Sequence, residues 1–340
     1  MLDPQEELLA VDDTPVRWGI IGPGWIARGA IMPAFASIAI GDVVAVASRD
    51  RARANAFATD FNIPRAYAGY DLLVDDPDVE AIYIALPNNL HAEWAIRAMQ
   101  AGKQVLCEKP LASTAREAEG MVAAAAETDS LFMEATMYRF HPRMREAVAL
   151  VHSGAIGTPL LVRGSFCFTM ANADNYRNHP EMGGGALLDV GSYCINAARW
   201  LLNEEPHTAM AMSVLADSGI DETVAGLLAF PSGALAQLQC SFGSAEHQNL
   251  DIVGTDGSIE VVHPFTAWRN DETAIRLTQG DQTDDIIFPP ADHYAIMLEH
   301  FSACVRGQDE PWTPPEDGVG TLRAMDALRR SAASGRAERV

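Results

Sequence analysis

Lysine is nearly absent from this chain. Of its 24 lysine and arginine residues only two, Lys103 and Lys109, are lysine, which leaves 22 arginines. Arginine can replace lysine as a surface charge, but not as a compact amine whose pKa moves readily on burial. Basic charge is short altogether: 24 basic against 46 acidic residues give a net charge of −22. That excludes the basic surface a nucleic-acid binder needs to displace counterions. The five cysteines (107, 167, 194, 240 and 304) are odd in number, scattered and without CxxC spacing. They exclude a disulfide framework and a zinc ribbon, and point to a reducing compartment. No apolar run reaches membrane-spanning length. Residues 1–14 carry five acidic side chains and no apolar core, so they read as a short disordered arm, not a signal peptide. A soluble cytoplasmic protein without a metal site is expected.

What is present fits two domains. A chain of 340 residues, 48% hydrophobic and 21% charged, can bury two sizeable cores. The first half alternates apolar runs with helical patterns, which predicts a doubly wound parallel sheet over residues 15–136. Val16-Arg17-Trp18-Gly19-Ile20-Ile21 reads as a buried strand and runs straight into Gly22-Pro23-Gly24-Trp25-Ile26-Ala27. In this G-x-G-x-x-A turn Gly22 makes the tight bend and Gly24 lets a pyrophosphate approach. The small Ala27 allows close helix packing, and amides around Trp25 and Ile26 open the helix toward the phosphates. The next strand, 43–47, ends in Ser48-Arg49-Asp50-Arg51-Ala52-Arg53. A hydroxyl and guanidinium there suit the 2′-phosphate of NADP, with Arg49 as main contact and Arg53 as a second; Asp50 leaves NAD open. After a short helix over 72–75 and the strand 81–86, the turn Leu86-Pro87-Asn88-Asn89-Leu90-His91 either touches the cofactor or caps helix 92–101.

The rare lysine follows. The run Gln104-Val105-Leu106 ends in Cys107-Glu108-Lys109-Pro110, placing Lys109 at the carboxyl end of a buried strand, where open α/β sheets bind ligands. Thr114 with Glu117 forms a capping box for the next helix, and strand 131–135 closes the unit.

From about Phe140 the grammar changes. His141-Pro142 opens a helix to Val151, then strands accumulate at 160–168, 207–214, 224–230, 234–241, 250–253 and 258–262, with one helix at 186–202. This predicts an α+β domain over 137–315 on a large, mainly antiparallel sheet with one open face, and therefore a homo-oligomer. Helices are expected at 292–306 and 320–334, the latter in a terminal unit 316–340 that packs back toward the first domain. Helix 186–202 follows Gly183-Gly184-Gly185 and carries Asp189 and Tyr193 four apart on one face. A tyrosine near an ammonium can serve as general acid/base, and Lys109 would supply that ammonium. The same spacing also describes a packed aromatic and a charge satisfying the helix dipole.

Together, the strand-G-x-G-x-x-A start, Glu108-Lys109-Pro110 and Gly183-Gly184-Gly185-Ala186-Leu187-Leu188-Asp189-Val190-Gly191 resemble the glucose–fructose oxidoreductase, inositol dehydrogenase and MocA (Gfo/Idh/MocA) family over nearly the whole chain. The resemblance implies that Lys109 sits beside the nicotinamide and substrate oxygen. Where many members carry a histidine this chain has Tyr193, as in the branch of sugar oxidoreductases and dihydrodiol dehydrogenase that uses a Lys/Tyr pair and mostly NADP. It implies that Arg177 contacts cofactor or substrate, and that Tyr138 and Arg139 line the sugar pocket. The implied reaction is oxidation of a cyclic aldose at C1 to a lactone. Tyr193 is then the base, Lys109 holds the oxygen and lowers the tyrosine pKa, and Asp189 orients the sugar or the tyrosine. Hydride exchange between two sugars on a retained cofactor, dihydrodiol oxidation and a non-catalytic cofactor-loaded regulator are the alternatives.

Overall fold

The computed structural model describes residues 14–172, 174–267 and 269–340, so the expected N-terminal arm lies outside the described residues save for Thr14. The first layer is built from β1 (Val16–Ile21), a π-helical turn (Ala27–Ile31) running into α1 (Met32–Phe35), β2 (Gly41–Ser48), α2 (Arg51–Phe61), β3 (Arg65–Ala68), α3 (Asp71–Val74), β4 (Ala81–Ile84), α4 (His91–Gln100), β5 (Gln104–Glu108), α5 (Ala115–Thr128) and β6 (Phe132–Ala135). Its six strands are all parallel and order as β3-β2-β1-β4-β5-β6. The crossover between β1 and β4 is the topological switch point where ligands bind in such sheets. Ile20, Ile21, Ala81–Ile84 and Val105–Cys107 are fully buried, as a parallel sheet covered on both faces requires. α5 starts where the sequence indicated: Thr114 Oγ1 accepts from Glu117 N at 3.3 Å, and Glu117 Oε2 accepts from Ser113 N at 2.9 Å.

The second layer contains α6 (Pro142–His152), β7 (Pro159–Thr169), a π-helical turn (Leu187–Gly191) running into α7 (Ser192–Leu202), β8 (Thr208–Leu215), β9 (Asp221–Ala229), β10 (Leu235–Ser241), β11 (Gly243–Gly254), β12 (Gly257–Val262), β13 (Thr273–Gln279), β14 (Gln282–Phe288), α8 (His293–Val305), α9 (Glu316–Ser334) and β15 (Glu338–Arg339). Among the described residues nine strands order as β14-β13-β12-β11-β7-β10-β9-β8-β15, and only the β7–β10 pair is parallel. One face is packed beneath α7 and α9. The other alternates outward: Met210, Met212, Val214, Leu215, Leu227 and Leu235 are all exposed.

Six elements depart from the sequence reading. β3, the β13–β14 hairpin and β15 were not anticipated. The helix expected at 186–202 opens with a π turn, and the short helix after β3 sits one residue earlier than the expected 72–75. α9 reaches both domains. Its Asp326 Oδ2 accepts from Ala115 N on α5 at 3.0 Å, while Ser331 Oγ accepts from Ala211 N on β8 at 3.0 Å.

Candidate active site

Each domain carries one glycine-started π turn, Ala27–Ile31 in the first and Leu187–Gly191 in the second. At the first, Gly22 is left-handed (φ +92°), and a Cβ there would stand 2.4 Å from Ala85 O. Only glycine fits. Gly24 differs: a Cβ would meet nothing nearer than Gly22 O at 3.9 Å. That open space over a helix start, whose first amides lack intrahelical acceptors, fits a dinucleotide pyrophosphate. At the end of β2, Asp50 is already committed, since its Oδ1 accepts from Ala52 N (2.8 Å) and Arg53 N (3.4 Å) as the cap of α2. Ser48 Oγ accepts from Asp50 N at 3.2 Å, and burial raises the Tyr70 pKa while the Arg49 charge beside it works to lower it. Arg53 Nη2 donates to Pro23 O at 3.4 Å, pinning the glycine turn. Trp25 is 77% exposed beside that turn, with Ile26 half-buried.

At the second turn every glycine is filled by protein. A Cβ on Gly183 would meet Asn88 Cβ and Ser113 Oγ at 2.8 Å, one on Gly184 would meet Arg177 O at 2.4 Å, and one on Gly185 would meet the Asp221 carboxylate at 2.8 Å. The run is thereby clamped between the parallel-sheet domain and β9. Asn88 Nδ2 also donates to Gly183 O at 2.7 Å, and Asp221 Oδ1 accepts from Leu187 N at 2.7 Å.

The clamp delivers Asp189 and Tyr193 to the end of β5. Lys109 Nζ donates to Asp189 O at 2.7 Å and to Asp189 Oδ1 at 3.0 Å, while Arg177 Nε lies 2.7 Å from Asp189 Oδ2. Burial alone would raise the Asp189 pKa, but the charges of Arg177 and Lys109 override it and hold the carboxyl well below the usual range. Lys109 Nζ stands 4.5 Å from the Tyr193 ring centroid, over its face. The Tyr193 hydroxyl points to Met137 Sδ at 3.5 Å. Lysine and tyrosine therefore meet, but by ammonium to ring and not by ammonium to hydroxyl.

This changes four expectations. Lys109 was to draw the Tyr193 pKa toward neutrality; instead burial, with the neighbouring Tyr294, Glu108 and Asp189, pushes it well above 10, and the phenol stands protonated at neutral pH. Asp189 was to orient sugar or tyrosine, whereas both its oxygens serve Lys109 and Arg177. Tyr138 and Arg139 were to line the sugar pocket. Both are buried and spent elsewhere: Tyr138 Oη donates to Asn196 Oδ1 at 2.6 Å, and Arg139 Nη1 pairs with Asp317 Oδ2 on α9 at 2.7 Å. His91 was a cofactor contact or a cap; it is fully buried, with Nδ1 and Nε2 each 2.9 Å from a carbonyl oxygen, those of Pro110 and Leu86. It fastens the end of β4 to the Lys109 turn.

Glu108 supports that turn from below. Tyr83 Oη donates to its carboxylate, and its Oε2 accepts from Lys109 N at 3.2 Å. Burial dominates and raises its pKa. In the turn after β4, Leu86 is buried, Pro87 half-buried and Asn89 exposed. Sequence reasoning missed Phe265, whose buried ring lies 5.3 Å from that of Tyr193, and Tyr294 on α8. Neither belongs to a motif, so no local signal marks them.

A parallel sheet with a glycine turn at its switch point, facing an ammonium and a phenol, defines a two-domain dinucleotide-dependent oxidoreductase. The comparisons agree. Residues 16–136 match the "Oxidoreductase family, NAD-binding Rossmann fold" profile and residues 144–260 the "GFO/IDH/MocA C-terminal domain". The chain belongs to the GFO/IDH/MocA family of oxidoreductases, and its first domain is an NAD(P)-binding Rossmann domain. It is 34% identical to D-xylose 1-dehydrogenase (NADP(+)) 2 of Haloferax volcanii, over 95% of this chain and 99% of that one. Aldose-aldose oxidoreductase from Caulobacter crescentus, solved with glycerol, matches with a TM-score of 0.89 at 31% identity, covering 96% of this chain and all of that one (100%). A 3-ketoreductase from Actinomadura kijaniata, in complex with NADP and TDP-benzene, matches at 0.88 and 31%, over 94% and 98% of the two chains. Among the described residues no helix is long and apolar enough to cross a membrane.

Proposed function

We propose that this protein oxidises a cyclic aldose at C1 to the lactone with NADP. The observation that carries the reading is the Lys109 ammonium over the face of Tyr193 at the carboxyl end of β5, held there by Asp189, which Arg177 holds in turn. Gly22, Gly24 and the helix start behind them would hold the pyrophosphate, and Arg49 and Arg53 the 2′-phosphate. Asp50, capping α2, does not offer its carboxylate to a ribose diol, which supports NADP over NAD. The bound nicotinamide supplies the hydride acceptor. Lys109 donates to the C1 oxygen and Tyr193 exchanges its proton. Asp189 is the positioning residue that fixes the ammonium over the ring, and Arg177 holds Asp189 from the other side. Because burial keeps Tyr193 protonated, the proton that the reducing direction needs is present at neutral pH. In the oxidising direction it becomes more effective as pH rises.

The test is NADPH formation across pentoses, hexoses and anhydrosugars, with the lactone trapped as its hydroxamate. NADPH formed without lactone would move the reaction away from C1. A second reading, hydride exchange between two aldoses on a retained cofactor, is supported by the similarity to the Caulobacter crescentus enzyme. Protein purified without added nucleotide that already absorbs at the nicotinamide wavelength would favour it.

The open sheet face supports a homo-oligomer. Met212 at 78% and Val214 at 60% exposure continue an apolar surface that a second copy would cover. Sedimentation showing only monomer at micromolar concentration would contradict this.

A further inference from the structure

The segment joining β12 to β13 crosses from the sheet domain to the dinucleotide-binding helix and is fastened at three points. At its root the buried guanidinium of Arg143 donates through Nη1 to Val262 O at 2.9 Å and through Nη2 to His263 O at 2.7 Å. The chain then turns at His263, whose φ is +49°. In the middle Phe265, fully buried, stacks on Phe166 (5.7 Å, 10°) and meets the rings of Tyr193 and Tyr138 at 5.3 and 5.4 Å. Gln248 Nε2 donates to Thr266 Oγ1 at 2.6 Å. At the far end Arg269 Nη2 donates to Gly29 O at 3.0 Å, and its Nη1 lies 3.6 Å from Asp292 Oδ2. Gly29 lies inside the π turn Ala27–Ile31, immediately after the glycine turn. One short segment thus links the ring of Tyr193 to the helix that receives the phosphates.

We propose that residues 263–267 and 269–272 form an interdomain strap that retains the dinucleotide, with Arg269 as the positioning residue that latches it. The inference rests on the reading of Gly22–Ala27 as the cofactor turn. The two ends of the strap differ in strength. Arg143 and Phe265 are buried and multiply held, so the root stays in place. Arg269 is 33% exposed and holds Gly29 by one charged hydrogen bond, so the far end is the part that releases. A π turn displaces backbone hydrogen-bond partners, and a guanidinium is a suitable donor for a carbonyl there. Opening this latch frees the far end of the strap beside the phosphate site and leaves Tyr193 packed on Phe265. The same contact therefore sets how long a dinucleotide stays bound and how the acid/base ring sits against it.

The test is release of NADPH from preloaded protein. Wild type, Arg269→Ala, Arg269→Gln and Arg269→Lys are mixed with excess NADP in a stopped-flow fluorimeter. Loss of one charged hydrogen bond should speed release about tenfold in Arg269→Ala and Arg269→Gln, with Arg269→Lys in between. Thermal unfolding of the nucleotide-free variants should match wild type. The glutamine variant keeps the side-chain bulk should the alanine variant fold poorly. Release at the wild-type rate from variants that bind NADPH overturns the strap alone. Failure of wild type to bind NADPH overturns the cofactor reading and the strap with it.

Discussion

The two glycine turns carry the same signal in the sequence, small residues at a helix start, for different physical reasons. At Gly24 the missing side chain leaves open space, with no heavy atom closer than 3.9 Å to a built Cβ. At Gly184 the space is taken by the carbonyl of Arg177, 2.4 Å from where a Cβ would stand. The first turn is bare so that a ligand can come close. The second is bare so that the chain itself can, drawing Arg177 onto Asp189 and Asp189 onto Lys109. A binding surface made of backbone faces a reactive surface made of side chains, and each needs glycine to form.

The contrast breaks most visibly at the side chains. Lys109→Met removes the ammonium that the second turn positions and should lower turnover about a hundred- to ten-thousandfold, while NADPH affinity, read by fluorescence titration, stays near wild type. Next come the glycines. Gly184→Ala should cost about 1–3 kcal/mol of stability in urea unfolding, because the added methyl must push Arg177 and its partners apart. Gly24→Ala should unfold within about 0.5 kcal/mol of wild type, yet bind NADPH at least roughly tenfold more weakly. If the two variants exchanged phenotypes, the assignment of the turns would be reversed. The protonation state of Tyr193 sharpens the chemical side. With its folded pKa raised above 10 by burial, oxidation should climb with pH, by about tenfold per unit up to pH 10, while the reverse reduction stays flat. A plateau near pH 7 would mean that bound ligands lower the phenol after all. The smallest effect is at the edge of the first turn. Arg49→Ala should reduce the preference for NADP over NAD about tenfold, seen as the ratio of the two kcat/KM values.

Much of the first domain was legible because parallel strands covered on both faces read as unbroken apolar runs, as in Ala81–Ile84. The strands that escaped notice carry other patterns. β3, Arg65–Ala68, is a half-exposed edge strand, and β14 presents Asp284 and Asp285 outward, with Asp285 paired to Arg276 at 3.0 Å. Charge of this kind guards edges and hides them from a hydrophobicity pattern. At the site, Lys109, Asp189 and Tyr193 were visible in motifs and Arg177 through the family resemblance, and the structure brings them together. Their roles were less visible, because whether Asp189 meets a sugar or two cations depends on how the domains dock. Tyr138 and Arg139 were misplaced for the same reason: α9, nearly 180 residues later, brings Asp317 within 2.7 Å of Arg139. Phe265 and Arg269 come from a loop with no motif at all.

The account stands most directly on Tyr193. In Tyr193→Phe the ring and its packing against Lys109 and Phe265 remain, and only the hydroxyl is lost. Steady-state oxidation of the best aldose, with NADPH affinity measured on the same preparation, should show turnover reduced about a hundredfold or more and affinity unchanged. Turnover near the wild-type value would contradict the assignment of Tyr193 as the group that exchanges the proton.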